Sequence, residues 1–208
     1  MAGHDLFAGV RHFARRLFDR NLKTLWFSAL AISRIYRRLI VLERSLSVAT
    51  PISIATSFRV APLEDTEVGA YLALRRDQNA ATIHRRLAQG HGCFVVWHQG
   101  EIVHAAWTAT GRVRIEYLSR DLVLHTGEVF VFDAYTGTAF RGRGASPLRA
   151  LVQGNHLRAQ GYDRVITMVS PENTVGFRPL EKVGTKPVGV IGYVGIGPWR
   201  WHFYHRSR

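Results

Sequence analysis

The chain has 208 residues, 47% of them hydrophobic and 21% charged, which fits one folded domain with an extension and excludes a disordered chain. Lysine and arginine number 28 against 15 aspartate and glutamate, a formal charge of +13, so the partners in view are anionic: lipid headgroups, nucleic acid, an acidic carrier protein or a polyanionic cofactor. The single cysteine, Cys93, excludes an internal disulfide and a multi-cysteine zinc site and suits a reducing compartment.

Residues 6–20, LFAGVRHFARRLFDR, read as an amphipathic helix. Phe7, Val10, Phe13, Ala14, Leu17 and Phe18 share one stripe, and Arg11, Arg15, Arg16 and Arg20 lie off it. A second helical or buried segment covers 22–33. Its uncharged run, 24–33, is too short for a bilayer that needs about 20 residues. Asp5 and Arg11 interrupt the place of a secretory signal's apolar core. Residues 1–50 carry nine of the basic residues against Asp5, Asp19 and Glu43. This basic helical extension, 1–50, is set apart from a domain over 51–208. The expected location is the cytoplasm, and the extension either lies on an anionic membrane surface or docks on its own domain.

Strands are expected over 36–48 and 57–63, and one long helix from Asp65, as N-cap, to the glycines at 90 and 92. A hairpin over 93–109 turns at Gln99-Gly100, and strands follow over 113–124 and 127–136. A helix over 147–160, a buried strand over 163–170, a short helix over 172–183 and two closing strands, 187–197 and 199–206, complete the chain. This order predicts an α/β domain: a central twisted mixed sheet flanked by helices. The basic, aromatic run WRWHFYHR reads as a terminal strand rather than a base-stacking surface, so nucleic acid is not the expected partner.

The stretch AFRGRGASPLRALV, 139–152, joins a strand to a helix through a basic, glycine-broken loop. Gly142 and Gly144 allow positive φ and close backbone approach. Successive N–H groups then converge into an anion-binding concavity at a helix start. Arg141 and Arg143 add charge, while Ser146 and Pro147 suit a cap and a first turn. The loop lacks the Lys-Ser/Thr of a nucleotide P-loop. It resembles the acetyl-coenzyme A loop of the GNAT acyltransferases, [QR]-x-x-G-x-[GA], with Arg141, Gly144 and Ser146 in the specified places and Ser146 departing from Gly or Ala. Downstream, ENTVGFRPLEKVG (172–184) resembles that family's N-x-x-S-x-x-L-Y-E-K-x-G segment through Asn173, Arg178, Glu181, Lys182 and Gly184. Gly176 replaces the serine, Thr185 the usual phenylalanine, and Leu180 stands where many members carry the tyrosine that protonates the leaving thiolate. Pro179 should distort that helix.

The resemblance covers 57–205. It implies a GNAT-like fold, acetyl-CoA as acyl donor without a metal, and direct attack of an amine on the thioester. The cofactor residues so implied are Ala134, Tyr135 and Thr136 at the splayed end of the fourth strand, Arg141, Gly142, Arg143, Gly144, Ala145 and Ser146 in the loop, and Asn173. For the chemistry, Asp133 is the first candidate base, with Glu128 and Glu116 behind it, and Tyr135 is a candidate acid. Alternatively, Asp133 is a carboxylate satisfied by Arg141 or a backbone N–H. His98 and His104 are read as strand histidines near the acceptor side. The acceptor is expected to be a small amine, anionic or membrane-associated, such as an amino sugar. The alternatives are a longer acyl chain delivered by an acyl carrier protein, and a non-catalytic module. The oligomeric state stays open, a homodimer included.

Overall fold

A computed structural model describes residues 34–49, 51 and 57–207. The helix expected over 6–20 and the segment 22–33 lie outside them. In chain order the strands are β1 (Tyr36–Ser45), β2 (Arg59–Pro62), β3 (Gly92–His98), β4 (Glu101–Ala109), β5 (Arg112–Ile115), β6 (Arg120–Val123), β7 (Glu128–Thr136), β8 (Arg164–Val169), β9 (Lys186–Ile196) and β10 (Trp199–Arg206). The helices are α1 (Val68–Leu74), α2 (Ala80–Ala88), α3 (Ala145–Ala159) and α4 (Thr174–Glu181).

Eight strands form one mixed sheet in the order β10-β9-β1-β8-β7-β4-β3-β2, and β5 and β6 form a separate hairpin. All pairings in the large sheet are antiparallel except β7 with β8. The β3–β4 turn uses Gln99 and Gly100, both at positive φ (48° and 83°), the twist-compatible hairpin that the dipeptide predicts. One face of the sheet is covered by α1, α2 and the small hairpin. Tyr71 of α1 is fully buried and accepts a 2.9 Å bond from Trp107 Nε1 of β4. The other face carries α3, whose Leu157 packs with Val129, Val131 and Val165.

β1 is interior. It pairs antiparallel with β8 (Ile40 opposite Val169) and with β9 (Tyr36 opposite Val194). A boundary at residue 50 therefore cuts through the sheet, and 36–45 is a strand of the domain rather than part of a helical extension. The single helix expected from Asp65 is three pieces. Glu64, not Asp65, caps a 3-10 turn over Asp65–Glu67 through a reciprocal capping box with Glu67. The chain then breaks between Leu74 and Ala80, where Asn79 caps α2 by accepting from Thr82 N at 2.9 Å. The strand expected over 113–124 folds back on itself, with Ser119 at φ +50° in the turn.

No helix among the described residues is long and apolar enough to cross a membrane. The Leu42 side chain is fully buried in β1, and Leu42→Ala should lower unfolding free energy by about 2–5 kcal/mol, the scale for an unrefilled core cavity, read from denaturant midpoints. A chain starting at residue 51 should show no cooperative unfolding transition, because the strand between β8 and β9 is gone.

Candidate active site

β7 and β8 pair over only four residues, from Glu128 opposite Arg164 to Val131 opposite Thr167. Beyond Val131, β7 continues to Thr136 along β4 alone. Trp107 pairs with Phe132 and Ala105 with Tyr135, so Ala106 faces both Asp133 and Ala134. That is a β-bulge, which bends its strand and leaves the extra residue out of the ladder. Asp133 takes φ +49°, a left-handed conformation that costs a non-glycine residue about 1 kcal/mol. The two parallel strands thus part into a cleft at whose edge Ala134 is exposed and Tyr135 and Thr136 are half-buried.

Two arginines hold the bulge. Arg75 Nη1 donates to Asp133 Oδ1 and Arg86 Nη1 to Oδ2, each at 2.7 Å. Arg75 also binds both oxygens of Asp77 at 2.9 Å and lies 4.9 Å over the Tyr135 ring; Arg86 lies 5.0 Å over Trp107. The bond to Asp77 foremost, and next the bond to Asp133, raises Arg75 above the ordinary arginine value against the opposing effect of burial. Both oxygens of Asp133 are thereby committed, to Arg75 and Arg86 rather than to Arg141. The geometry gives Asp133 a holding role in place of the expected base. Glu128 sits at the opposite end of β7, roughly 17 Å away along the strand, where it accepts from His125 N at 2.8 Å and meets Arg164 at 3.5 Å. Glu128 is thereby held at the far end of its strand from the cleft. Glu116 is exposed in the turn before β6.

The loop after β7 leads to α3. Gly142 and Gly144 take φ +78° and +89°, and Gly144 is the N-cap. The helix starts at Ala145 rather than Pro147, and Ser146 falls inside its first turn instead of capping it. Among the described residues, no acceptor faces the backbone N–H groups of Gly142, Gly144, Ala145 and Ser146, whereas Arg143 N bonds Phe140 O at 3.3 Å. Arg141 Nε reaches back to Thr136 O at 3.4 Å. Arg141 and Arg143 are exposed. Free donors at a helix start, flanked by guanidinium groups, make a site for phosphate.

One contributor was not singled out by the sequence for this role. His104 of β4 is 1% exposed; its Nε2 accepts from Arg149 Nε at 3.3 Å, and its Nδ1 lies 2.7 Å from Thr136 Oγ1. Since arginine only donates, the network assigns the ring proton to Nδ1, which donates to Thr136. The threonine hydroxyl keeps its own proton for an acceptor elsewhere. Burial first, then the charge of Arg149, holds His104 well below the usual histidine value, so the ring is neutral at neutral pH.

Asn173 caps α4, its side chain accepting from Gly176 N at 3.0 Å. A Cβ at 176 would come within 2.8 Å of Asn173 Nδ2, so the glycine leaves the capping side chain room; the structure gives no reason for glycine in place of serine. Pro179 lies within α4, and the helix runs on for two residues past it before closing in tight turns at Val183 and Gly184. Cys93 is no nucleophile: burial above all pushes its thiol up to about 12.

No protein-family model and no curated protein matches the sequence. Solved structures do. A GNAT-family acetyltransferase from Colwellia psychrerythraea matches with TM-score 0.55 at 10% identity, over 83% of this chain and 57% of that one. A GCN5-related N-acetyltransferase from Kribbella flavida matches with TM-score 0.55 at 13% identity, over 82% and 63%. The glucosamine N-acetyltransferase region of a fungal multi-domain GH3 β-N-acetylglucosaminidase matches with TM-score 0.56 at 13% identity, over 88% and 22%. The chain spans less than two thirds of each of these proteins, and what they share with it is the GNAT fold.

Asp133→Asn should leave Arg75 and Arg86 short of their counter-charge and lower stability by about 1–3 kcal/mol, seen as a reduced thermal midpoint at pH 7. A second outcome concerns acid. A histidine buried neutral binds its proton more readily when unfolded, so stability is fully present above about pH 6.5 and falls as the pH drops below it. His104→Gln should flatten the decline in midpoint between pH 6.5 and 5, though not abolish it, since burial also lowers His91 and His202.

Proposed function

We propose that this chain is an N-acyltransferase that takes an acyl group, acetyl first, from coenzyme A and passes it to an amine by direct attack on the thioester. The observation that carries the reading is that the N–H groups of Gly142, Gly144, Ala145 and Ser146 have no acceptor among the described residues, beside the cleft that opens where β7 leaves β8. In this reading the cofactor's pyrophosphate rests on those N–H groups with Arg141 and Arg143 alongside. The pantetheine arm enters the cleft past Ala134, Tyr135 and Thr136.

The Thr136 hydroxyl, fixed by His104, donates towards the thioester oxygen as charge develops there, a preorganised donor in the sense that lowers a barrier. The amine nitrogen bonds to the carbonyl carbon, the carbon–sulfur bond breaks, and the thiolate takes a proton from Tyr135. The amine's surplus proton leaves to water, and Tyr135 regains a proton from water. Tyr135 fills the acid's place because Leu180, on α4, has no proton to give. The formal charge of +13 supports an acceptor that is anionic or held at an anionic surface. The basic run 6–20 supports the second of these, with liposome binding of the full chain as its check. An amino sugar is the first amine to try, given the fold neighbour that acts on glucosamine. A longer acyl chain from an acidic carrier protein would suit the same charge.

Leu180 favours a second reading, a module that binds coenzyme A without turnover. Calorimetry with acetyl-CoA and thiol release with a panel of amines separate the two. Catalysis predicts both binding and amine-dependent thiol, and the module predicts binding alone. Gly144→Val should abolish binding in a still-folded protein, because φ +89° excludes a β-branched residue and the N–H cradle with it. Unchanged affinity would remove the loop from the cofactor site.

A further inference from the structure

Arg44 of β1 and Arg149 of α3 are interior cations. Arg44 is 7% exposed and Arg149 2%. Among the described residues neither is paired with a carboxylate. Their recorded bonds go to neutral acceptors: Arg44 Nη2 to the carbonyl of Ala150 at 2.8 Å, Arg149 Nε to His104, and Arg149 Nη1 to Gln153 Oε1. A buried charge is ordinarily matched by an opposite one, because desolvation is costly otherwise. Here two like charges share one region. Burial, and after it the charge of Arg44, pushes Arg149 down to about 10, which still leaves it cationic at neutral pH.

Arg44 and Arg149 line a single cavity together with Gln153, Thr167 and Thr185, its other walls being aliphatic (Val131, Ala150, Val165, Leu180 and Val183). Gln153 is 1% exposed, and its Nε2 has no hydrogen-bond partner among the described residues, an amide donor in search of an acceptor. The hydroxyl of Thr167 is already spent on Val131 O at 2.8 Å. The cavity is also shaped for Arg44. A Cβ on Gly154, mid-helix in α3, would overlap Arg44 Nη2 and stand 3.0 Å from its Cζ. A mid-helix glycine is less favourable than alanine, so the room for Arg44 comes at the helix's expense. The space open to the centre of a water-sized body is about 20 Å³, enough for a small ion and too little for a nucleotide.

We propose that this cavity between β1, β8, α3 and α4 binds a small monovalent anion, a halide or a single carboxylate group, through Arg44, Arg149 and the Gln153 amide. The site is separate from the loop at 141–146, since Arg149 and Gln153 lie one and two turns further along α3. A bound anion would tie β1 to α3 and steady the arginine that orients His104.

The test uses the full chain, exchanged into sodium gluconate and titrated with sodium chloride, bromide or acetate at constant ionic strength. The expected result is a saturable rise in thermal midpoint with at least one of these, lost in Arg149→Met and in Arg44→Met and kept in Arg141→Ala. Crystals grown in bromide should show anomalous density within hydrogen-bond reach of both guanidinium groups. No anion-dependent midpoint in the unaltered chain, or a response that Arg149→Met preserves, would overturn the proposal. A response lost only in Arg141→Ala would overturn it too, by moving the anion to the loop. If the arginine variants do not fold, Gln153→Leu keeps both cations and removes one donor; an unweakened anion affinity there, with no bromide at the cavity, overturns it as well.

Discussion

Two parallel strands that pair over four residues and then separate are an unstable arrangement unless something makes the parting worthwhile. β7 and β8 part after Val131 and Thr167, and most of the candidate site depends on that parting. The bulge that bends β7 away places Asp133 in a left-handed conformation, and the strain is offset by two charge-assisted bonds from Arg75 and Arg86. Those arginines come from the end of α1 and the last turns of α2. The helices packed on one face of the sheet therefore set the curvature of a strand that leads into the glycine-broken loop before α3. Shape at the cleft is maintained from behind.

Positive charge does two unlike jobs on α3. Just ahead of its start, Arg141 and Arg143 stand exposed in water, where holding them costs little. A turn further in, Arg149 has lost its water and leans on a neutral histidine and a glutamine. The first arrangement is screened by water. The second is electrostatic tension inside the domain, and it reaches the cleft through one short path, Arg149 to His104 to Thr136.

What could be read from the sequence divides by range. Gly142, Gly144 and the Gln99-Gly100 turn were legible because positive φ leaves a local mark in residue choice. The mixed sheet with helices on both faces, and most strands to within a few residues, followed from local periodicity as well. Asp133 was found but its role was not, because Arg75 and Arg86 lie 58 and 47 residues away and no spacing rule links them. The break between α1 and α2 had a signal, Asp77 and Asn79, that helical periodicity on either side outweighed. Arg149 and Gln153 had one too. They sit four residues apart on the same stripe as Ala145 and Leu157, a stripe buried throughout, with Gly154 beside them. Polar residues on a core stripe next to a helical glycine point to something built, but they do so only once the stripe is known to face inward. Nothing local in YRRLIVLERS says that this strand lies between two others from the far end of the chain.

That last placement governs the order of assembly. Ile40 meets Val169 and Tyr36 meets Val194, so both neighbours of β1 come from more than a hundred residues downstream. As the chain leaves the ribosome, an apolar strand waits with neither edge satisfied until the helix-flanked middle of the domain has been made. Such long-range closure slows folding and exposes sticky edges while it is pending. The middle strands β3, β4 and β7, which meet through nearer neighbours, are free to form early. The pairing that seats β1 between β8 and β9 is also what brings Arg44 beneath α3, within 2.8 Å of Ala150 O.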